Sequence, residues 1–160
     1  MFGYNLSFVS ATGLNESIWF HYPKQSVLQK IVMYTDFVQA HSLVAYMESL
    51  SDNPVVAEVG AYHGQYAVLL GKIVQSKNGM LIAVEASGQN ARDLKENTQL
   101  NSLHDTVHDT VEVVESFVQD MDEKNISLIE MGSQTTADSN GNGVKIRSKS
   151  ISTLLKRLDI

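Results

Sequence analysis

Glu58, Gly60, Gly64 and Glu85 are the residues whose types and spacing could do chemistry. The apolar run Val55-Val56-Ala57-Glu58-Val59 is followed at once by Gly60 and then Gly64. Gly60 lets the backbone turn sharply, and Gly64 lets a helix start close to a ligand. A second acid, Glu85, closes the apolar run Met80-Leu81-Ile82-Ala83-Val84 and can accept two hydrogen bonds from a ribose diol. A glycine turn followed by such an acid is what an adenosine-containing cofactor needs. The turn reads Glu58-x-Gly60-x-Tyr62-x-Gly64, without the Gly-x-Gly pair that seats a dinucleotide pyrophosphate on a helix N-terminus. An acid at Glu58 repels a pyrophosphate and suits a cation. The sulfonium and amino group of S-adenosylmethionine are such cations, so the turn favours the methyl donor over a nicotinamide or flavin.

Other reactive side chains are scattered more thinly. His63, inside the turn, is the sole candidate for a general base, and no residue is assigned that role. His104-Asp105-Thr106-Val107 is repeated at once as His108-Asp109-Thr110-Val111. Two histidines four apart would share a helix face as a metal pair, but the interleaved threonines and valines favour a strand or loop. No third ligand is spaced to complete a site, so the repeat reads as a loop duplication and no metal is expected.

The elements that must position these residues follow from periodicity. Val55–Val59 and Met80–Val84 read as buried strands, and Gln65–Val74 as the helix between them, giving a βαβ unit. Gln89–Leu100 is a helix with Leu94 inward and Arg92, Asp93, Lys95 and Glu96 outward. Val111–Val114 is the third strand, and Glu115-Ser116-Phe117 follows at its end. Ile126–Met131 is another strand, then Gly132–Gly143 reads as a polar loop. Lys145, Arg147 and Lys149 alternate with Val144, Ile146 and Ser148 as one solvated strand face. Before the first motif, Phe2, Tyr4, Leu6 and Phe8 alternate, Thr12-Gly13-Leu14-Asn15 is turn-like, and Ile18–Tyr22 returns as a hairpin strand. Trp19 there could stack on adenine, though a core position suits it better. Gln25–Leu50 is helical, in two pieces with Asp36 capping the second and His41 on an apolar stripe.

At these residues the chain resembles the FkbM family of S-adenosylmethionine-dependent methyltransferases. The resemblance rests on Glu58-Val59-Gly60-Ala61-Tyr62-His63-Gly64, on Val84-Glu85-Ala86-Ser87, and on Asn90-x-x-x-Leu94-x-x-Asn97-x-x-Leu100-Asn101. Val144–Leu155 is similar to the family's late strand and following helix. The resemblance implies an α/β, Rossmann-like fold in one domain over 1–160. Within it, 1–53 forms a hairpin and helices and 54–160 the cofactor-binding core. It implies S-adenosyl-L-methionine held by Glu58, Gly60, Ala61, Tyr62, Gly64, Glu85, Ala86 and Ser87, with Ser116 against the adenine. It implies O-methylation of a small molecule or sugar. The family usually has Asp where this chain has Glu58 and Asn where it has Tyr62, so a large ring stands near the cofactor. The family's next strand, carrying a core acid, would follow Ile160. The expectation is therefore the front part of the sheet, with the alternative of a non-catalytic remnant that depends on a partner, a second copy or a missing C-terminal segment.

Composition bounds the rest. The 160 residues are 43% hydrophobic and 19% charged, ordinary for a soluble globular domain. The absence of cysteine excludes disulfides, thiolate metal sites and a cysteine nucleophile. The N-terminus lacks signal-peptide features and no stretch suits a membrane span, so a cytoplasmic, non-membrane protein is expected. Residues 1–144 hold 7 Lys/Arg against 17 Asp/Glu, and residues 145–160 hold 5 against 1, within a net charge of -6. The acidic bulk argues against nucleic acid as a partner.

Overall fold

A computed structural model describes residues 2–9, 15–22, 41–104, 109–120, 125–131, 134–137 and 141–156. The chain is an α/β protein with one parallel and one mixed sheet, preceded by a hairpin. The hairpin strands β1 (Phe2–Val9) and β2 (Asn15–Tyr22) pair antiparallel along their whole length, with Trp19 opposite Asn5. The expected turn around Gly13, the helix over 25–40 and the Asp36 cap lie outside the described residues. Helix α1 (His41–Ser49) accounts for the last part of the expected helical region, and its Met47 is buried.

The parallel sheet is built by a β-α-β-α-β run: β3 (Val55–Val59), α2 (Gln65–Ser76), β4 (Met80–Glu85), α3 (Gly88–Leu100) and β5 (Val111–Glu115). The order is β3-β4-β5, with Val59 level with Val84 and Glu85 level with Glu115. Two helical crossovers give parallel strands because a strand can re-enter a sheet in the same direction only by a long connection. Alternate residues of β4 and β5 feed two cores. Leu81, Ala83 and Val111 pack with Val68, Leu70 and Val74 of α2, Leu94 of α3 and Met47 of α1. Ile82, Val84 and Val114 face the other way, onto Leu154 of a short helix, α4 (Ile151–Lys156).

The first strand departs from the expectation of a buried strand. Val55 and Val59 are 46% and 53% exposed, and burial alternates along β3. Among the described residues β3 pairs with β4 alone, and the core beneath Leu154 stops at β4. Among the described residues one face and one edge of β3 are thus uncovered, whereas β4 has neighbours on both sides.

The remaining strands form a second sheet of order β6-β9-β7-β8: β6 (Phe117–Val118), β7 (Asn125–Met131), β8 (Gln134–Ala137) and β9 (Val144–Lys149). Strand β7 runs antiparallel to both β8 and β9, while β6 is parallel to β9. The loop expected over 132–143 therefore contains a strand. Thr135 and Thr136 are β-branched, and their segment folds back on the outer edge of β7. Lys145 and Arg147 are exposed as expected, and Ser148 is fully buried. Ser116 joins the two sheets: its N–H donates to Glu85 O (3.0 Å), and its hydroxyl donates to Arg147 O (3.1 Å).

Candidate functional site

The three parallel strands end at one edge, which is where open α/β sheets place ligands. Three segments meet there and line a cleft of about 210 Å³. Val59, Gly60 and Tyr62 follow from β3, Val84, Glu85 and Ala86 from β4, and Ser116, Phe117 and Val118 from β5 into β6. Pockets that enclose a drug-sized ligand run to roughly 300–1,000 Å³. The cleft therefore takes one moiety of such a ligand, with the rest outside.

The turn after β3 holds three left-handed residues, Gly60 (φ 82°), Tyr62 (φ 53°) and Gly64 (φ 91°). Gly60 and Ala61 both donate their N–H to Val84 O, at 2.8 and 3.0 Å, so the turn is clamped to the end of β4. A Cβ on Gly64 would stand 2.6 Å from Leu94 Cδ1. The constraint visible at Gly64 is thus the approach of α3 as well as its φ, where the sequence reading had assigned it to a ligand.

Glu85 is the hub of the cleft floor. Its Oε2 accepts the Tyr62 N–H at 2.9 Å, and its Oε1 accepts the Ser87 N–H at 2.8 Å and Asn90 Nδ2 at 3.4 Å. A carboxylate offers about four lone-pair positions. One position, on Oε2, stays open; a second hydroxyl would need the long Asn90 bond to give way. Glu85 is expected from the sequence to accept two hydroxyl hydrogen bonds; in the structure it has one open acceptor position and one held by the long Asn90 bond.

Glu58 behaves differently from the expectation. Burial first, and the neighbouring Glu85 second, push its carboxyl up to about 8. Its Oε2 is buried without a hydrogen-bond partner. Glu58 is therefore protonated at neutral pH and supplies no anion there, and the charge argument against a pyrophosphate falls away, since an acid placed like Glu85 also serves the ribose of dinucleotides.

Behind the turn, helix α3 holds His63. His63 Nδ1 lies 3.1 Å from Asp93 Oδ2, and Asn97 Nδ2 donates to His63 O at 2.8 Å. Burial pulls the His63 imidazole down, against the opposing pull of Asp93 and Glu85. The Tyr62 and His63 rings are 3.7 Å apart, tilted by 49°. Burial, then Asp93 and Glu85, raise the Tyr62 phenol, which stays neutral. One expectation is overturned here: Asp93 points inward and is buried. His63 is buried too and is not among the residues lining the cleft.

Of the nine residues expected at a cofactor, Gly60, Tyr62, Glu85, Ala86 and Ser116 line the cleft. Ala61 and Gly64 are buried in the turn. Glu58 stands on β3 and is not among the lining residues, and the Ser87 hydroxyl caps α3, accepting the Asn90 N–H at 3.4 Å. In the sequence Asn90 and Asn97 stand out only as part of a helix pattern, and Asp93 as an outward residue, none of them with a role at the site. Their signal was present as polar residues spaced three and four apart on the side of α3 that carries Leu94. In the histidine repeat, His104 Nδ1 lies 3.2 Å from Asp109 Oδ1, while 105–108 lie outside the described residues. No helix among the described residues is long and apolar enough to cross a membrane.

No known family profile matches the chain. No curated protein matches it either. Among solved structures it is similar to one from Pyrococcus horikoshii named "putative transferase PH0793", at 14% identity and a TM-score of 0.37. That likeness covers 69% of this chain and 36% of the other. At that level it carries no argument about mechanism.

Proposed function

We propose that the cleft binds the adenosine part of S-adenosyl-L-methionine and that the chain carries a Rossmann-like methyltransferase fold acting on a hydroxyl of a small molecule or sugar. The observation that supports this most is the open acceptor on Glu85, at the carboxyl end of the central parallel strand and beside a glycine turn. Apolar Val59, Val84 and Val118, with the ring of Phe117, suit a flat heterocycle. The residues fit the group. Glu85 would accept from the ribose, and Gly60 and Ala86 leave room beside it. Bound there, the cofactor would supply an electrophilic methyl group. The chain's part is to hold it in place and keep water from its flat face, catalysis by positioning. The FkbM resemblance names the acceptor class.

Equilibrium dialysis with labelled S-adenosylmethionine, with NAD as competitor, tests the reading. Saturable uptake that NAD does not displace supports it. Displacement by NAD at lower concentrations than S-adenosylhomocysteine would restore a dinucleotide site.

A second reading, a cofactor-binding domain that works only with a partner, is favoured by the uncovered valines of β3. An unpaired parallel edge with an apolar face is unusual, because such sheets are normally covered. Methyl transfer by the isolated chain to any hydroxylated acceptor would remove this second reading.

A further inference from the structure

We propose that Asp93, acting through His63, is the positioning residue for the Tyr62 ring in the wall of the cleft. The inference rests on the cofactor reading for the ligand it names, and on geometry alone for the linkage. Tyr62 is held in the left-handed region, at φ 53°, where an L side chain is strained. A bulky residue kept there, at the mouth of a cleft, is fixed by its surroundings. Its N–H is fixed by Glu85, and its ring is fixed by the His63 ring 3.7 Å away.

His63 is in turn oriented by Asp93. Asp93 Oδ2 stands 3.1 Å from His63 Nδ1, a close charge–dipole contact outside hydrogen-bond alignment, while Oδ1 accepts from Gln89 Nε2 at 3.0 Å. A buried carboxylate is costly unless paired, and loop anchoring does not require this one. The turn backbone is already tied to α3 by Asn97 on His63 O and by Leu94 against Gly64. What the Asp93 contact adds is the orientation of the imidazole, and the imidazole touches Tyr62. The ionisable groups facing His63 are Asp93 from α3, Glu85 from β4 and the Tyr62 phenol beside it. Ligand selection at the cleft wall therefore extends from a residue on the surface of the cleft to a buried pair, His63 of the turn and Asp93 of α3.

A double-mutant cycle on S-adenosylhomocysteine affinity separates positioning from plain structural support. Tyr62→Asn removes the ring and keeps a residue type that tolerates the left-handed region. Loss of a stacked ring is expected to weaken binding about tenfold. Asp93→Asn is expected to cost several-fold alone and nothing measurable on top of Tyr62→Asn. An equal cost in both backgrounds would overturn the proposal. The unliganded chain provides a readout independent of binding, the ring-current shift that Tyr62 imposes on the His63 imidazole protons. That shift is expected to collapse in Tyr62→Asn and in Asp93→Asn; His63 signals unmoved by Asp93→Asn overturn the linkage. A wild-type chain that binds no S-adenosylhomocysteine while those signals respond as expected removes the cofactor reading and leaves the linkage standing.

Discussion

Glu58 and Glu85 show how two like residues at one strand edge are given opposite properties by their surroundings. Glu85 has three hydrogen-bond donors around its oxygens, and Glu58 has a buried oxygen with none. The folded chain retains a proton on Glu58 between its ordinary 4.5 and about 8, while the unfolded chain has released it. The unfolded state therefore binds fewer protons in that window, and stability falls as pH rises through it. Each unit of displacement is worth roughly 1.4 kcal/mol, so the whole effect is on the order of a few kcal/mol. Glu58→Gln should remove it. Melting temperatures of the two chains at pH 5 and pH 9 are expected to diverge in favour of the variant at pH 9; a constant difference would mean that Glu58 ionises normally.

At the scale of elements, the turn and helix α3 work as one piece. Leu94 occupies the space that a side chain on Gly64 would need, and Asn97 holds the neighbouring carbonyl. Gly64→Ala combines a left-handed alanine with overpacking, and the two together should cost about 2–4 kcal/mol in chemical denaturation. A loss below about 0.5 kcal/mol, the size of an ordinary surface substitution, would show that the turn rearranges freely. In the second core, Ile82→Ala should cost about 2–5 kcal/mol, because Ile82 is fully buried between β4 and α4. The periodic elements were legible in the sequence: β4, α2, α3 and β5 lie within a residue or two of where apolar spacing puts them. The inward turn of Asp93 was not, because its partner His63 is thirty residues away and no local pattern encodes a contact between a loop and a helix. The strand at Gln134–Ala137 was hidden for a similar reason, since its polar composition reads as loop until β7 offers an edge.

For the whole molecule, the pairing of a parallel sheet with a mixed one was only half legible. The βαβαβ run follows from alternating strand and helix patterns. The second sheet is tied to the first where Ser116 bonds Glu85 O through its N–H and Arg147 O through its hydroxyl, a link that composition does not reveal. Uncovered β3 has a consequence at this scale. Val59→Lys places a charge on its exposed face and should leave the melting temperature within about 0.5 kcal/mol equivalent of wild type if that face meets solvent. If the chain self-associates through β3, gel filtration of wild type is expected to run larger than that of the variant, and equal elution volumes would show that β3 carries no self-contact.

In the proposed site Glu85 accepts from the ribose of S-adenosylmethionine. Calorimetric titration of the wild-type chain and of Glu85→Gln with S-adenosylhomocysteine tests it most directly. The account predicts saturable one-to-one binding to the wild type, weakened in a folded Glu85→Gln chain by about 1–3 kcal/mol for a lost hydrogen bond to a charged acceptor. Absence of binding in a folded wild-type sample, or equal affinity in the two chains, would contradict it.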